Sequence, residues 1–126
     1  MIADDEAHVR KYIRAVLSRM NCDIVAEAEN GKESIEKYVT FRPHILLLDI
    51  NMPVKSGKAA LSEIMAEYPK AFVMMLTSLS DKDTIEQCIA LGASGYLRKD
   101  LNLEQMLSAI KESWRYYKAN KHKPSS

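Results

Sequence analysis

Apolar positions follow two alternating spacings along this chain. Short apolar runs, typical of strands, alternate with stretches in which apolar residues recur every three or four positions, as on one face of a helix. The strand-like runs are 1–3, 24–28, 45–48, 71–76 and 96–97, and the helical stretches are 6–20, 31–41, 58–68, 81–91 and 102–117. The pattern therefore predicts five strand–helix units in succession.

The third and fourth strand-like runs are apolar at every position, which indicates strands buried on both faces. Helical crossovers between successive strands produce a parallel sheet wound on both faces. We therefore predict a doubly wound α/β fold, (βα)5, with a five-stranded parallel sheet. The first strand is unusual because only three residues precede Asp4, which is short for a central strand. The pattern leaves open whether residues are missing upstream or Met1 is an internal methionine of a longer protein.

Polar side chains collect where these strands end. In open parallel sheets, ligands bind at the carboxyl ends of the strands. Four of the predicted strands end in groups suited to chemistry, namely Asp4-Asp5, Asp49, Thr77-Ser78 and Lys99. We therefore expect three carboxylates, two hydroxyls and one ammonium on one edge of the sheet.

These groups form a coherent chemical set. Carboxylate oxygens are the ligands that Mg²⁺ takes, and without a cation two carboxylates about 4 Å apart repel by roughly 4 kcal/mol. A threonine hydroxyl can donate to a phosphoryl oxygen, and a lysine supplies a compact charge for phosphate. A carboxylate nucleophile with a metal and a lysine is a workable set for accepting a phosphoryl group.

Each residue taken alone has an ordinary structural explanation. Asp4-Asp5 and Asp49 could form turns or caps, Thr77-Ser78 could cap the next helix, and Lys99 could be an exposed lysine. Tyr96, on the last strand, could be a core aromatic residue. Their joint placement at one edge favours the functional interpretation.

Composition excludes several classes of protein. The 126 residues correspond to one domain, and a net charge of +1 provides no strong field toward nucleic acid or acidic membranes. The two cysteines lack the spacing of a metal site, which favours reduced thiols and a cytoplasmic location. We see no run long enough to span a bilayer and no signal peptide, and we expect no membrane partner.

The motifs resemble those of bacterial two-component response-regulator receiver domains, of which the chemotaxis regulator is the familiar single-domain form. The matching segments are Ala3-Asp4-Asp5-Glu6, Leu47-Leu48-Asp49-Ile50-Asn51-Met52-Pro53 with Gly57, Leu76-Thr77-Ser78, and Gly92 through Lys99. Their order and spacing cover the chain from Met1 to about Trp114. The resemblance implies a flavodoxin-like sheet with strand order 2-1-3-4-5 and a receiver domain over residues 1–117.

The resemblance also implies roles for individual residues. Asp49 would accept a phosphoryl group from a sensor histidine kinase or phosphotransfer protein. Mg²⁺ would be held directly by Asp5, Asp49 and the backbone carbonyl of Asn51, and through water by Asp4. Thr77 would be the switch hydroxyl, Lys99 the phosphate-binding ammonium and Tyr96 the aromatic ring that moves inward.

The output implied by the resemblance is a protein-binding surface made by the fourth helix, fifth strand and fifth helix. This surface would serve an output domain, a target protein or a homodimer. Asp100 stands where many receivers have a cis-proline, which resembles receivers joined to a LuxR-type output domain. Residues 118–126 are basic, and we interpret them as a tail or linker rather than a nucleic-acid-binding arm.

Two other functions compete with a signalling switch. A haloacid-dehalogenase-like phosphatase also uses an aspartate after a strand with Mg²⁺ and lysine, but it needs a second aspartate where this chain has Asn51. A degenerate receiver could act only as a docking module. The intact set of Asp4, Asp5, Asp49, Thr77 and Lys99 favours a phospho-accepting switch that catalyses only its own phosphoryl transfer and dephosphorylation.

Overall fold

A computed structural model of the protein describes residues 1–78 and 82–120. Five parallel strands form one sheet in the order β2-β1-β3-β4-β5. The strands β1 to β5 are Ile2–Ala3, Glu27–Ala28, Leu46–Asp49, Val73–Thr77 and Gly95–Arg98. The helices α1 to α5 are Ala7–Arg19, Gly31–Phe41, Gly57–Glu67, Lys82–Ala90 and Leu103–Asn120. The predicted doubly wound fold and its strand order are both confirmed.

The alternation of side chains along the strands divides the core into two layers. In β3, Leu46 and Leu48 pack with α2, α3 and α4, while Leu47 packs with α1 and α5 on the opposite face. All three leucines have no exposed surface, as expected for strands covered by helices on both sides. Packing on both faces holds the sheet in place and therefore sets the position of every strand end.

Polar caps set several helix boundaries. Asn30 accepts a hydrogen bond from the Glu33 amide at 2.8 Å before α2, and Ser56 accepts one from Ala59 at 3.2 Å before α3. Helix α4 ends at Ala90, and Gly92 just after it has a φ of +115°, in the left-handed region that favours glycine. These local signals are readable in the sequence, which is why the helix bounds agree with the prediction to within a few residues.

Some predicted details are wrong. Strand β2 is only two residues long, whereas the sequence predicted a strand over 24–28. Its partner β1 also has only two residues, so no more of β2 can pair with it. Helix α5 continues to Asn120, three residues past its predicted end at Tyr117. The spacing of Ile85, Cys88 and Ile89 predicts one apolar face on α4, but Ile89 is 45% exposed while the other two are buried. The predicted start of α4 at Asp81 lies outside the described residues.

None of the helices within residues 1–78 and 82–120 is both long enough and apolar enough to cross a bilayer.

Candidate functional site

The carboxyl edge of the sheet carries the predicted polar residues. Asp49 and Thr77 are the last residues of β3 and β4, while Asp4 and Lys99 directly follow β1 and β5. The register of the parallel strands places these ends side by side, with Asp49 opposite Leu76 on β4. The fold therefore brings the groups together as the sequence predicted.

Three carboxylates form a compact acidic cluster. One carboxylate oxygen from each of Asp4, Asp5 and Asp49 lies within 4.8 Å of the others. Asp4 has no exposed surface and Asp49 is 3% exposed, whereas Asp5 is exposed. The cluster is therefore open to solvent on the Asp5 side and closed by protein behind the other two residues.

Lys99 supplies positive charge to the cluster. Its Nζ lies 2.8 Å from Oδ2 of Asp4 and 3.2 Å from Oδ2 of Asp49. The lysine side chain is only 11% exposed, so its ion pairs are shielded from water. One ammonium thus compensates two buried carboxylates in part, and a net negative charge remains at the site.

The backbone orients both buried carboxylates. Oδ1 of Asp4 accepts a hydrogen bond from the Glu6 amide at 2.8 Å, and Oδ1 of Asp49 accepts one from the Asn51 amide at 3.2 Å. In each case the second oxygen remains directed toward Lys99. Both side chains are therefore held in place before any ligand binds.

Glu6 and Arg10 lie beside the acidic cluster, although the sequence predicted no function for either. Oε1 of Glu6 lies 3.5 Å from Nζ of Lys99, and Arg10 donates to the backbone carbonyl of Asp4 at 2.7 Å. Arg10 also forms an ion pair with Glu27 at 3.2 Å, which ties α1 to β2 beside the site. The position of Glu6 directly after Asp4-Asp5 could have predicted its place near the site. The contacts of Arg10 depend on tertiary packing and could not be predicted in this way.

Electrostatics raise the pKa of Asp49. Burial is the main cause and the neighbouring Asp4 adds to it, so the pKa of this carboxyl rises from 3.8 to about 6 although Lys99 opposes the shift. Burial alone would lower the pKa of Lys99, but the close carboxylates of Asp4 and Asp49 raise it overall. A bound cation would therefore stabilise the ionised carboxylates of the site.

The donor set fits a magnesium ion. The acidic groups offer hard oxygen ligands at one solvent-accessible point, which leaves room for the waters that Mg²⁺ retains. Oδ2 of Asp4 is fully buried and accepts no well-directed hydrogen bond from the described residues, although Lys99 lies close to it. An incompletely satisfied buried oxygen and surplus negative charge are both relieved by a divalent cation.

Thr77 and Tyr96 differ in burial. Thr77 is 3% exposed at the end of β4, beside Asp49 across the sheet edge. Tyr96 on β5 is 48% exposed, so its interpretation as a core aromatic residue is wrong. Asn51 is exposed after β3. The apolar Leu79, two positions after Thr77, predicts hindered attack of water on a phosphoryl group, but it lies outside the described residues.

Comparison with known proteins identifies the family. The sequence profile described as "Response regulator receiver domain" matches residues 1–111. The transcriptional regulatory protein LnrK of Bacillus subtilis is 37% identical over 111 residues, which are 87% of this chain but only 50% of that protein. The chemotaxis protein CheY of Listeria monocytogenes is 34% identical over 113 residues, which cover 90% of this chain and 95% of that protein.

Solved structures agree with the sequence relatives. CheY in the CheX-CheY-BeF3-Mg complex of Borrelia burgdorferi superimposes with a TM-score of 0.86 and 27% identity, over 90% of this chain and 86% of that one. NtrX of Brucella abortus gives a TM-score of 0.87 over 95% of this chain and 27% of its own, and at 20% identity it supports the fold alone. This chain therefore belongs to the response regulator receiver domain family, the phosphorylated signalling switches of two-component systems.

Proposed function

We propose that Asp49 is the phospho-acceptor of this receiver, with Mg²⁺ bound at the acidic cluster. The observation that carries the proposal is the position of Asp49. It is a nearly buried carboxylate, within 4.8 Å of two other acidic ligands and 3.2 Å from the ammonium of Lys99. The Borrelia complex named above contains CheY together with BeF3 and Mg, which supports an anion and a metal as ligands of such a receiver.

The transfer step uses the carboxylate as a nucleophile. An oxygen of Asp49 attacks the phosphorus of a donor phosphohistidine, a P–O bond forms, and the P–N bond breaks. The bonding pair leaves with the imidazole nitrogen, so the donor histidine returns to its neutral form after taking a proton. Lys99 moves its charge toward the new phosphoryl oxygens, and the Thr77 hydroxyl donates to one of them.

Mg²⁺, when bound, offsets the negative charge that develops on the transferring group. Asp5, Asp49 and the Asn51 carbonyl would hold it directly, and Asp4 would hold it through water. Attack of water on phosphorus later releases phosphate and restores the Asp49 carboxylate. The protein thus catalyses only its own phosphorylation and dephosphorylation and has no separate substrate.

The proposed switch joins the site to an output surface. Thr77, drawn toward the phosphoryl group, would vacate space that the half-exposed ring of Tyr96 enters. Ile89 on α4 and Tyr96 on β5 are both large exposed apolar side chains, which suits the surface made by α4, β5 and α5 for binding a target, an output domain or a second copy. Residues 1–117 would form the receiver and 118–126 a linker or tail, in a cytoplasmic protein whose two cysteines are free.

Trapping of the acyl phosphate tests the acceptor. The protein is incubated with acetyl phosphate and Mg²⁺, reduced with borohydride, and digested for peptide mapping. We expect the modified residue to be Asp49 and expect no labelled peptide in Asp49→Asn. Asp23→Asn, a change at an exposed carboxylate, is the matched control and should label as the parent does. Unchanged labelling of Asp49→Asn would refute the assignment.

Replacing the switch hydroxyl tests the coupling. Thr77→Ala keeps Asp49, Lys99 and the acidic cluster, so it should still accept a phosphoryl group from acetyl phosphate. We expect the Tyr96 ring, followed by NMR, to move on phosphorylation of the parent but not of Thr77→Ala. Equal ring shifts in both proteins would show that Thr77 does not carry the signal.

A further inference from the structure

The loop that carries Asp4 and Asp5 is held from two sides. Oδ1 of Asp4 accepts a hydrogen bond from the Glu6 amide at 2.8 Å, and the Asp4 carbonyl accepts one from Nη1 of Arg10 at 2.7 Å. The Asp4 amide donates to the carbonyl of Ala28 at 3.0 Å, which continues the contact between β1 and β2. Three hydrogen bonds therefore fix Asp4, the residue directly before the exposed carboxylate of Asp5.

Arg10 reaches this loop from the first turn of α1. Its amide donates to the Glu6 carbonyl at 3.1 Å, while its side chain runs back toward the end of β1. Asp4 has no exposed surface and the arginine side chain is 13% exposed, so water has little access to the bond between them. A buried carbonyl that loses its donor costs free energy, and the backbone around it shifts to recover a partner.

Strand β2 orients the guanidinium of Arg10. Its Nε lies 3.2 Å from Oε1 of Glu27, and its Nη2 lies 3.5 Å from Oε1 of Glu29. Glu27 is held in turn, because Nζ of Lys37 on α2 donates to its backbone carbonyl. The planar fork of an arginine can bind the Asp4 carbonyl and a carboxylate at the same time, whereas a lysine offers one point charge.

The charge of Arg10 is balanced where it lies. Glu27 also pairs with Arg14, and Glu29 lies on the outer side of the same group. Two arginines and two glutamates carry no net charge together, so the group exerts little field on the acidic cluster. Coulomb's law alone predicts that removal of a cation strengthens metal binding. A loss of position predicts the reverse, so the sign of the effect separates the two causes.

We propose that Arg10 is a positioning residue for the metal site, which holds the Asp4-Asp5 loop from β2 so that its carboxylates face a divalent cation. Arg10 acts through the backbone of Asp4 rather than by contact with the metal. This inference rests on the magnesium site proposed above. It extends that site from the acidic side chains to an ion-pair network that begins at Glu27 on β2.

Magnesium titration of Arg10→Met tests the role of the side chain. We expect calorimetry to show binding on the order of tenfold weaker than in the parent, the scale on which groups behind the ligands affect metal affinity. Arg14→Met is the matched control, because it removes the other arginine on Glu27, one that is 52% exposed. It should bind magnesium as the parent does. Arg10→Lys keeps the charge without the fork, and its affinity should lie between those of Arg10→Met and the parent.

Hydrogen exchange in EDTA gives a readout that needs neither metal nor phosphate. The Glu6 amide, which donates to Asp4, should exchange several-fold faster in Arg10→Met and keep its rate in Arg14→Met. The Glu33 amide donates to Asn30 at the same distance of 2.8 Å and serves as the internal reference.

The two measurements separate this inference from the proposed function. Magnesium binding in Arg10→Met that equals or exceeds that of Arg14→Met would overturn the positioning role, even where the parent binds the metal well. Equal acceleration of the Glu6 and Glu33 amides would also overturn it, because a general loss of stability would then be the cause. If Arg10→Met does not fold, parent-like magnesium binding by Arg10→Lys would overturn the role. A parent that binds no magnesium would refute the metal site itself, and this inference with it.

Discussion

Nζ of Lys99 lies 2.8 Å from Oδ2 of Asp4, a carboxylate without exposed surface, while the same ammonium also reaches Asp49 at 3.2 Å. The lysine is therefore shared between a proposed metal ligand and the proposed acceptor. A shared cation couples metal affinity, fold stability and phosphoryl chemistry, because each depends on the same surplus of negative charge.

Removal of the shared lysine should have opposite effects on stability and metal binding. Lys99→Met leaves two buried carboxylates without compensation, so we expect the metal-free protein to lose roughly 2–4 kcal/mol of unfolding free energy. The same variant should bind Mg²⁺ on the order of tenfold more tightly, because a competing cation has gone. Urea unfolding in EDTA and calorimetric magnesium titration measure the two effects.

The neighbouring arginine provides the control for that experiment. Arg98→Met removes a cation whose ion pair with Asp100 is exposed, and such pairs contribute little to stability. We expect both its stability and its magnesium affinity to match those of the parent. Weaker magnesium binding in Lys99→Met than in Arg98→Met would contradict the electrostatic account of the site.

Asp49 should make the metal-free protein less stable as the pH rises. Its pKa is 3.8 when unperturbed and about 6 in the fold, so between these values the folded protein holds a proton that the unfolded chain has released. Stability from this residue is therefore present below about pH 4 and is lost as the pH rises through about 6. At pH 7 we expect Asp49→Asn to be more stable than the parent by about 1–3 kcal/mol.

Urea unfolding in EDTA, repeated from about pH 4.5 to about pH 7.5, checks this dependence. The range spans the pKa of about 6 that Asp49 has in the fold. The advantage of Asp49→Asn over the parent should grow through this range and then level off. Asp23→Asn, a change at an exposed carboxylate, should show no such growth. A constant difference between parent and Asp49→Asn would mean that the acceptor carboxyl is not perturbed.

The exposure of Asp5 changes an expectation drawn from the acidic cluster alone. The sequence gives no reason to rank the three carboxylates, and relief of any one charge should then stabilise the metal-free fold. In the structure Asp4 is paired with Lys99 and Asp5 is exposed, so solvent screens Asp5 most effectively. We therefore expect the largest stabilisation from Asp49→Asn and a smaller one from Asp5→Asn.

The loop after β3 contains a strained residue. Val54 has a φ of +70°, a left-handed conformation that is unfavourable for a β-branched side chain, and it is 78% exposed. Val54→Asn should stabilise the protein by about 1 kcal/mol, because asparagine tolerates this conformation and little apolar burial is lost. Val39→Asn, at an exposed position within α2, should not stabilise it. Thermal unfolding of both variants measures the difference.

Gly57 should tolerate no side chain. A Cβ atom at this position would lie 1.8 Å from the backbone oxygen of Asp49, far inside contact distance. Gly57→Ala must therefore displace the end of β3 that carries the acceptor, with an expected loss on the order of 3 kcal/mol or more. Gly95→Ala is the matched control, since its Cβ would meet side-chain atoms rather than backbone, namely the Ser113 hydroxyl at 3.2 Å and the end of Met74 at 3.4 Å. Similar losses in urea unfolding for the two variants would contradict this account.

The sequence predicts the parts of this molecule that depend on local pattern and strand ends. The periodicity around Ile13 and Ile110 locates two helices, and the apolar run before Asp49 locates a buried strand. The register of parallel strands then brings Asp4, Asp49 and Lys99 together without further information. The site could be predicted because each residue lies at the end of a recognisable element.

Features that depend on tertiary contacts were not predictable in this way. The exposure of Tyr96 and Ile89 depends on which helices cover each face of the sheet, and the left-handed backbone at Val54 has no sequence signal. Arg10 reaches both the backbone of Asp4 and the side chain of Glu27 only because α1 packs against β1. Such details follow from packing of the whole chain rather than from any segment of it.

The central claim is magnesium-dependent phosphorylation of Asp49, and intact-mass spectrometry tests it most directly. The parent, Asp49→Asn and Asp23→Asn are incubated with acetyl phosphate, each in Mg²⁺ and in EDTA. We predict the mass gain of one phosphoryl group in the parent and Asp23→Asn with Mg²⁺, and no gain in EDTA or in Asp49→Asn. A full gain in Asp49→Asn, or an equal gain in EDTA and Mg²⁺, would contradict the proposed site.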